Sequence, residues 1–448
     1  MCVIGLCLAP LTIYANVITV TNTNDSGPGS LRQALADVND HDTINFAVTG
    51  TIGLTSTELV VDNNITIRGP GPDLLTISAV GLQRVSVFHI MPGHSVRIQG
   101  LTVTEGYTGI YNDSATLTVS NCSVSYNHGS SGGGIYNGDA TLRILNSTIA
   151  NNCACQHGGG YGGGIYNSLG GSVTISNSIV SGNSAITPSP EEGYGGGIWG
   201  GGLTITDSTI TNNFASLTGG GIDGGGTITN STISGNGAGG GNDHRPGQGG
   251  GIFGGGTITN CTISGNGVFG SQFKGPGAGG GIYVGGTTSI SNSTLSDNSV
   301  SYGNGGDICN GGILEIRNTV LNTGNPDNIF NLSGTITSRG YNLSSDSAGG
   351  FLTGPGDQTN TNPLLGPLRD NGGPTFTHAL LSGSPAIDAG DPVFTPPPAF
   401  DQRGAPFVRV FNGRIDIGSF ELQPPPTPTP TPRPTPPPRP RPTPAPRP

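Results

Sequence analysis

Between Asn121 and Asn298 the apolar and polar positions fall into one phrase, Asn-x-x-Ile-x-x-Asn, written seven times in the same register. Its copies are Asn121, Val124, Asn127; Asn146, Ile149, Asn152; Asn177, Val180, Asn183; Asp207, Ile210, Asn213; Asn230, Ile233, Asn236; Asn260, Ile263, Asn266; and Asn292, Leu295, Asn298. A second apolar residue stands five positions before each central one, from Val119 and Ile144 to Ile290, and a small residue stands two before it, from Cys122 and Ser147 to Ser293. Short β-branched runs alternating with period two and broken by Asn and Gly predict strands of about three to five residues. A glycine cluster followed by isoleucine recurs at Ile135, Ile165, Ile198, Ile222, Ile252, Ile282 and Ile308, with a weaker forerunner at Ile110; the spacings are 25, 30, 33, 24, 30, 30 and 26 residues. One coil is therefore about 20 residues plus a variable loop.

A helical solenoid would need longer apolar stripes of period near 3.6 without repeated glycine, and the repeats offer neither. The pattern predicts an all-β chain, a right-handed parallel β-helix whose coils lie about 4.8 Å apart. Like residues then stack on like, so that Ile149, Val180 and Ile210 are vertical neighbours, and bend asparagines stack into amide ladders. The glycine box supplies positive φ at the tightest corner. Both Asn columns fade at Gly100 and Gly106 on one side and Gly324 on the other; flanking coils are expected to carry Ile65, Ile67, Val96, Ile98 and Val103, and Leu314, Ile316 and Leu321. Before the coils, Ser30 with Gln33 forms a capping box, and Leu31, Ala34, Leu35 and Val38 form a helical stripe. A helix over 30–39 is expected to lie across the open first coil and protect its strand edge. The expected divisions are a leader over 1–15, an N-terminal cap over 16–60, coils over 61–345, a C-terminal cap over 346–423 and a Pro-rich tail over 424–448.

Composition narrows the functional classes. Gly is 81 of 448 residues, aromatics are 6% and charged residues 10%, so burial must come from many small contacts repeated along an axis. Net charge is −10, and Arg433, Arg439, Arg441 and Arg447 lie in the tail, leaving the body more acidic still. Such a body has no electrostatic footprint for nucleic acid. The apolar start reads as a secretory leader ending near Ile13-Tyr14-Ala15, possible even without a basic start, or else as a buried first strand. No apolar run reaches spanning length, so no transmembrane segment is expected. The tail alternates Pro with Thr and Arg, which predicts an extended polyproline spacer, either without a partner or drawn to an anionic envelope.

Cys122 and Cys261 share the inward small-residue column and lie too many coils apart for a disulfide. Cys153 and Cys155 form a C-x-C beside His157, which lacks the fourth ligand of a metal site, so loop chemistry, including a strained or intermolecular disulfide, is the stronger expectation. Cys309 has no assigned role. No metal or cofactor is expected.

These segments resemble known families. The run from Val20-Thr21-Asn22-Thr23-Asn24 to Gly29-Ser30-Leu31-Arg32-Gln33-Ala34, followed by Ile65-Thr66-Ile67-Arg68-Gly69-Pro70-Gly71, is similar to the N-terminal segment of bacterial secreted right-handed β-helix repeat proteins. The coils resemble the polymorphic outer membrane protein repeat, with Gly-Gly-Gly-Ile in place of Gly-Gly-Ala-Ile and Ile-x-x-Asn in place of Phe-x-x-Asn. Five ordered motifs resemble the choice-of-anchor Q domain: Asn362 to Leu368, Asp370 to Thr375, Gly383 to Gly390, Asp401-Gln402-Arg403-Gly404 and Asp416 to Glu421. The resemblance implies a secreted or surface bacterial protein and transfers no catalytic residue; it does not extend to an autotransporter barrel, so the polymorphic proteins' outer-membrane route is not implied.

Two kinds of chemistry are conceivable on such coils. A glycan lyase or hydrolase needs clustered carboxylates with a basic residue, whereas Asp207, Asp223, Asp297 and Asp307 fall in different columns; only the loop group Glu191, Glu192, Asp243, His244 and Arg245 is placed to converge. Binding is suggested by the residues after the glycine-box isoleucines: Tyr111, Tyr136, Tyr166, Trp199, Phe253 and Tyr283, interrupted by Asp223 and ended by Cys309. Alternation turns this column outward, where rings could hold sugar faces or simply stiffen the rod, rimmed by loops 153–161, 184–194, 237–248 and 267–278. The sequence thus predicts a non-catalytic, adhesin-like monomer that binds an extracellular glycan or surface protein, with pectin-type lyase or hydrolase activity as the rival.

Overall fold

The computed structural model describes residues 15–156, 160–186, 193–239, 245–270 and 275–424. They wind into a right-handed parallel β-solenoid of about 12 turns. A 12-stranded sheet forms one face, a 22-stranded sheet winds along the other side, and a seven-stranded sheet of very short strands fills the turn between them. The expected vertical register holds: Ile149 lies opposite Val180, and Val180 opposite Ile210. Ile144, Ile175, Ile205, Ile228, Ile258 and Ile290 form a second continuous column. These inward side chains are almost wholly buried, as are Ile67, Ile98 and Val103 before the array and Leu314, Ile316 and Leu321 after it.

The two asparagines of the repeat have different duties. The second column, Asn127 to Asn298, is fully interior: Asn183 Nδ2 donates to Asn213 Oδ1 at 2.9 Å, its backbone N–H to the same oxygen at 3.0 Å, and its Nδ2 also to Ile149 O at 2.9 Å. The same bonds link Asn213, Asn236, Asn266 and Asn298. Each amide satisfies a turn that would otherwise bury unpaired backbone groups. The first column adopts left-handed φ, 49° at Asn121, 47° at Asn177 and 49° at Asn292, which Asn tolerates. The first glycine of each box also sits there, with φ from 59° at Gly132 to 69° at Gly279 and Gly305. Between the columns the small residues make a hydroxyl ladder, with Ser147 N–H donating to Ser178 Oγ at 3.1 Å. Cys122 and Cys261 occupy rungs of it, and burial pushes their thiols up to about 11 and about 12.

The N-terminal helix spans Leu31–Asp37, shorter than expected at both ends. Ser30 accepts from Gln33 N–H as predicted, but the Gln33 side chain turns to Asp37, so only half of the capping box forms. Leu31, Ala34 and Leu35 are buried, and the helix packs on Val17–Val20 and Leu59–Val61 at the first coils. No helix among the described residues is long and apolar enough to cross a membrane. The expected leader, apart from Ala15, and nearly all of the Pro-rich tail lie outside the described residues.

The segment after residue 345 does more than close the end. Ala348 and Leu352 join the solenoid core, with Phe351 packed against it, and seal the last coil. The remainder runs back along the 12-stranded face: Thr232 Oγ donates to Phe376 O at 2.6 Å, Thr262 Oγ to Gln402 Oε1 at 2.6 Å, and Ser419 N–H to Thr294 Oγ at 3.1 Å. Asn318 Nδ2 donates to Asp416 O at 3.0 Å. The region expected as an end cap is thus largely a lateral buttress. Alternation exposes a column of Thr and Ser on that face, and hydroxyls can bond a second layer as readily as water.

Candidate functional site

The residue after each box isoleucine points out of the solenoid, as alternation requires. Register places His89, Tyr111, Tyr136, Tyr166, Trp199, Asp223, Phe253, Tyr283, Cys309 and Phe330 in one column. All six sequence-predicted rings lie in it and are half-buried. Tyr111 and Tyr136 stack at 4.7 Å and 7°, Tyr136 and Tyr166 at 4.6 Å and 12°, and Tyr166 and Trp199 at 4.9 Å and 12°. Phe253 and Tyr283 stack at 5.1 Å and 10°. These separations are the rung spacing of a parallel sheet, so the backbone itself sets the ring contacts. Burial raises the phenol pKa of Tyr111, Tyr136, Tyr166 and Tyr283.

This geometry revises one expectation. Within each stack the ring faces are turned to one another, so solvent meets ring edges rather than open platforms. Faces without an aromatic neighbour in the column occur where Asp223 replaces a ring, below Trp199 and above Phe253, and again at the small, buried Cys309 between Tyr283 and Phe330.

Sequence reading missed three parts of this face. His89 tops the column, edge-on to Tyr111 at 4.9 Å and 81°, and its Nδ1 pairs with Glu58 Oε1 at 2.9 Å. Together with Tyr107 and Tyr136 they line a groove of about 370 Å³. Phe330 continues the column past Cys309, whose thiol burial pushes up to about 12. Its run Ile329-Phe330-Asn331 matches Ile135-Tyr136-Asn137, a signal that could have found it; no glycine box precedes His89. A second, shorter column lies alongside: Tyr161 stacks on Tyr194 at 5.1 Å and 4° and meets Trp199 edge-on at 5.1 Å.

Glu58, Asp113 and Asp139 stand near the Tyr111 and Tyr136 phenols and, after burial, help raise them, but no three carboxylates come together on this face among the described residues. Among the described residues Asp223 is half-buried and bonded to the Thr218 hydroxyl, and burial lifts its carboxyl to about 6. Asp297 accepts from Thr323 at 2.6 Å on another side, and Asp307 is fully buried at the end of the Asn ladder. Glu191, Glu192, Asp243 and His244 lie outside the described residues, as does His157; Cys153 and Cys155 are joined by a disulfide.

Among the described residues one acidic cluster exists, at Asp388, Asp416 and Glu421 in the C-terminal segment. Its chemistry is internal. The Asp416 oxygens accept backbone N–H bonds from Asp388 and Leu422 at 2.6 Å each, and those of Glu421 accept from Asp416 at 2.9 Å and Phe411 at 3.2 Å. Burial, with Asp416 beside it, lifts the Glu421 carboxyl to about 8. Asp416 and Glu421 are 1% exposed, and the fully buried Arg409 guanidinium lies among them. These carboxylates organise a fold rather than face a groove.

A family description, right handed beta helix region, matches residues 75–223. Among solved structures the chain is similar to a pectate lyase, Pel9A, at 18% identity and TM-score 0.45, covering 92% of this chain and 98% of that one. It is similar to a PL6 family alginate lyase, AlyGC, at 13% identity and TM-score 0.41, covering 81% and 55%. A third is the A-module of the mannuronan C-5 epimerase AlgE6 of Azotobacter vinelandii, at 13% and 0.35, covering 72% and 97%. No curated protein matches. At these scores neither substrate nor catalytic residues carry over to this chain.

Proposed function

We propose that this solenoid is a non-catalytic binding protein of the bacterial surface or secreted fraction, whose aromatic-edged side takes an extracellular glycan. The observation that carries the reading is the column of half-buried rings from Tyr111 to Tyr283, beside which no three described carboxylates come together. Ring edges and phenol hydroxyls, repeated at rung spacing, suit a partner that repeats along its own length. The polymorphic-outer-membrane-type repeat and the choice-of-anchor Q-like segment fit the same reading. Asp401, Gln402, Arg403, Asp416, Ser419 and Glu421, from two of that segment's motifs, bond one another or the coils.

A glycan array probed with the full chain tests this. Tyr136→Ala combined with Tyr166→Ala is expected to reduce binding at least tenfold; unchanged binding removes the ring column from the function. Release of unsaturated or reducing ends from pectin or alginate by the purified chain would overturn the non-catalytic reading in favour of a lyase or hydrolase.

A further inference from the structure

We propose that the break in the ring column at Asp223 is a slot for one uncharged pyranose ring, the terminal residue of a glycan, inserted between Trp199 and Phe253. The inference rests on the glycan-binding reading above and narrows it to one place and one sugar chemistry.

Register carries the geometry. Asp223 lies opposite Trp199 on one side and Phe253 on the other, so these rings are two rungs apart, about 9.6 Å. A ring entering midway would sit about 4.8 Å from each, the separation at which this protein stacks its own rings. The slot is the place of one missing rung.

The neighbouring column breaks at the same level. Tyr161 and Tyr194 stack, but the next bridge partner of Tyr194 is Thr218, followed by Gln248. Thr218 Oγ donates to the Asp223 carboxylate, which draws that side chain toward the second column. Two positions that hold rings in the coil above therefore hold a hydroxyl and a carboxyl here. The coil is also plain in sequence: from Asn213 to Ile222 it has no insertion, whereas Asn183 to Ile198 and Asn236 to Ile252 both carry one.

Aromatic faces above and below with a carboxyl and a hydroxyl at the side match a ring that is apolar on its faces and hydroxylated at its rim. A pyranose has that distribution. Asp223 disfavours a uronate by like-charge repulsion, as does the acidic body. Rings close the slot along the axis and the backbone at Asp223 and Gly224 closes its inner side, so a sugar enters edge first. Its chain must then leave through the mouth, which selects a terminal residue over an internal one.

The chain has a single tryptophan, so Trp199 emission reports directly on the slot. The full-length protein is titrated with methyl glucoside, galactoside and mannoside and with methyl glucuronide and galacturonide. At least one neutral sugar is expected to shift the emission with Kd of about millimolar, the scale for so small a ligand, and its uronate counterpart to bind at least tenfold more weakly. Asp223→Tyr restores the missing rung and is expected to abolish the shift. Asp223→Asn keeps a hydrogen-bonding side chain and is expected to retain the neutral sugar while losing discrimination against the uronate. Array binding with no neutral sugar moving Trp199 emission, or equal affinity in Asp223→Tyr, overturns the slot and leaves the broader reading standing. A silent array together with silent titrations takes down both.

Discussion

The coils from Ile110 to Ile198 and those from Ile222 to Ile329 share one repeat but are braced on different sides. The first set carries the unbroken stack of Tyr111, Tyr136, Tyr166 and Trp199, and its 12-stranded face lies partly open, with Ser123, Thr148 and Thr209 half-buried and Ile179 44% exposed. The second set has only the Phe253 and Tyr283 stack. Its threonines at the same repeat position, Thr232, Thr262 and Thr294, are 1%, 0% and 2% exposed beneath the C-terminal segment. The first Asn column shows the same gradient: Asn121, Asn146 and Asn177 are exposed, whereas Asn260 and Asn318 are buried and donate to Phe400 O and Asp416 O. An outward Thr or Asn on such a rod is thus not committed to solvent. It can bind water or a second layer with nearly the same hydrogen bonds, and a non-repeating segment decides which.

The sharpest way to break the comparison is to loosen the second layer alone. Arg403 is 4% exposed by side chain, pairs with Asp401 at 2.6 Å, and lies over the rings of Phe407 and Phe420 at 3.7 and 3.8 Å. Arg403→Met leaves the Asp401 carboxylate buried without its partner and is expected to cost about 3–5 kcal/mol. Hydrogen exchange should accelerate at Thr232, Thr262 and Thr294 and stay unchanged at Ser123 and Thr148. Equal acceleration in both sets would show that the segment does not brace one half selectively.

Tyr136→Ala probes the other brace. It removes two ring contacts and is expected to cost about 1–2 kcal/mol in denaturant unfolding, with the exchange effect confined to the first set of coils. A loss that spreads evenly along the rod would contradict local bracing.

The smallest effect concerns the ladder common to both halves. Asp307 takes the end of the Asn column: its Oδ1 accepts from Asn298 Nδ2 at 2.7 Å, its Oδ2 has no partner, and burial raises its pKa well above the ordinary value. Its folded carboxyl holds a proton that the unfolded chain releases near 3.8, so stability from this group is full below that pH and is lost as pH rises toward the folded value. Asp307→Asn is expected to raise stability by about 1 kcal/mol at neutral pH and to match the parent in acid. A constant difference across pH would sink the assignment.

Much of this was legible because a solenoid maps sequence period directly onto space. Strict recurrence of Ile149, Val180 and Ile210 fixes their contact without knowledge of distant partners, since each rung's neighbour is the previous repeat. The same holds for the ring column. Ring orientation was not legible: alternation tells which side a residue faces, but only the rung spacing turns the faces inward on one another. His89 escaped because no glycine box announces it, and Tyr161 and Tyr194 because they lie in insertions outside the repeat.

The sequence by itself determined the winding, the core columns and the place where the ring column breaks, all consequences of local alternation and fixed period. Tertiary structure alone decided that Gln402 and Ser419 meet Thr262, that Thr218 turns to Asp223, and that the carboxylates of Asp416 and Glu421 are taken up by backbone N–H groups. Most of those contacts join non-repeating segments to distant coils or to one another, and the Thr218 to Asp223 bond lies within one coil at two positions where its neighbours carry other residues. No period in the chain encodes them, because their energy comes from burial and hydrogen bonds that exist only after the rod has formed.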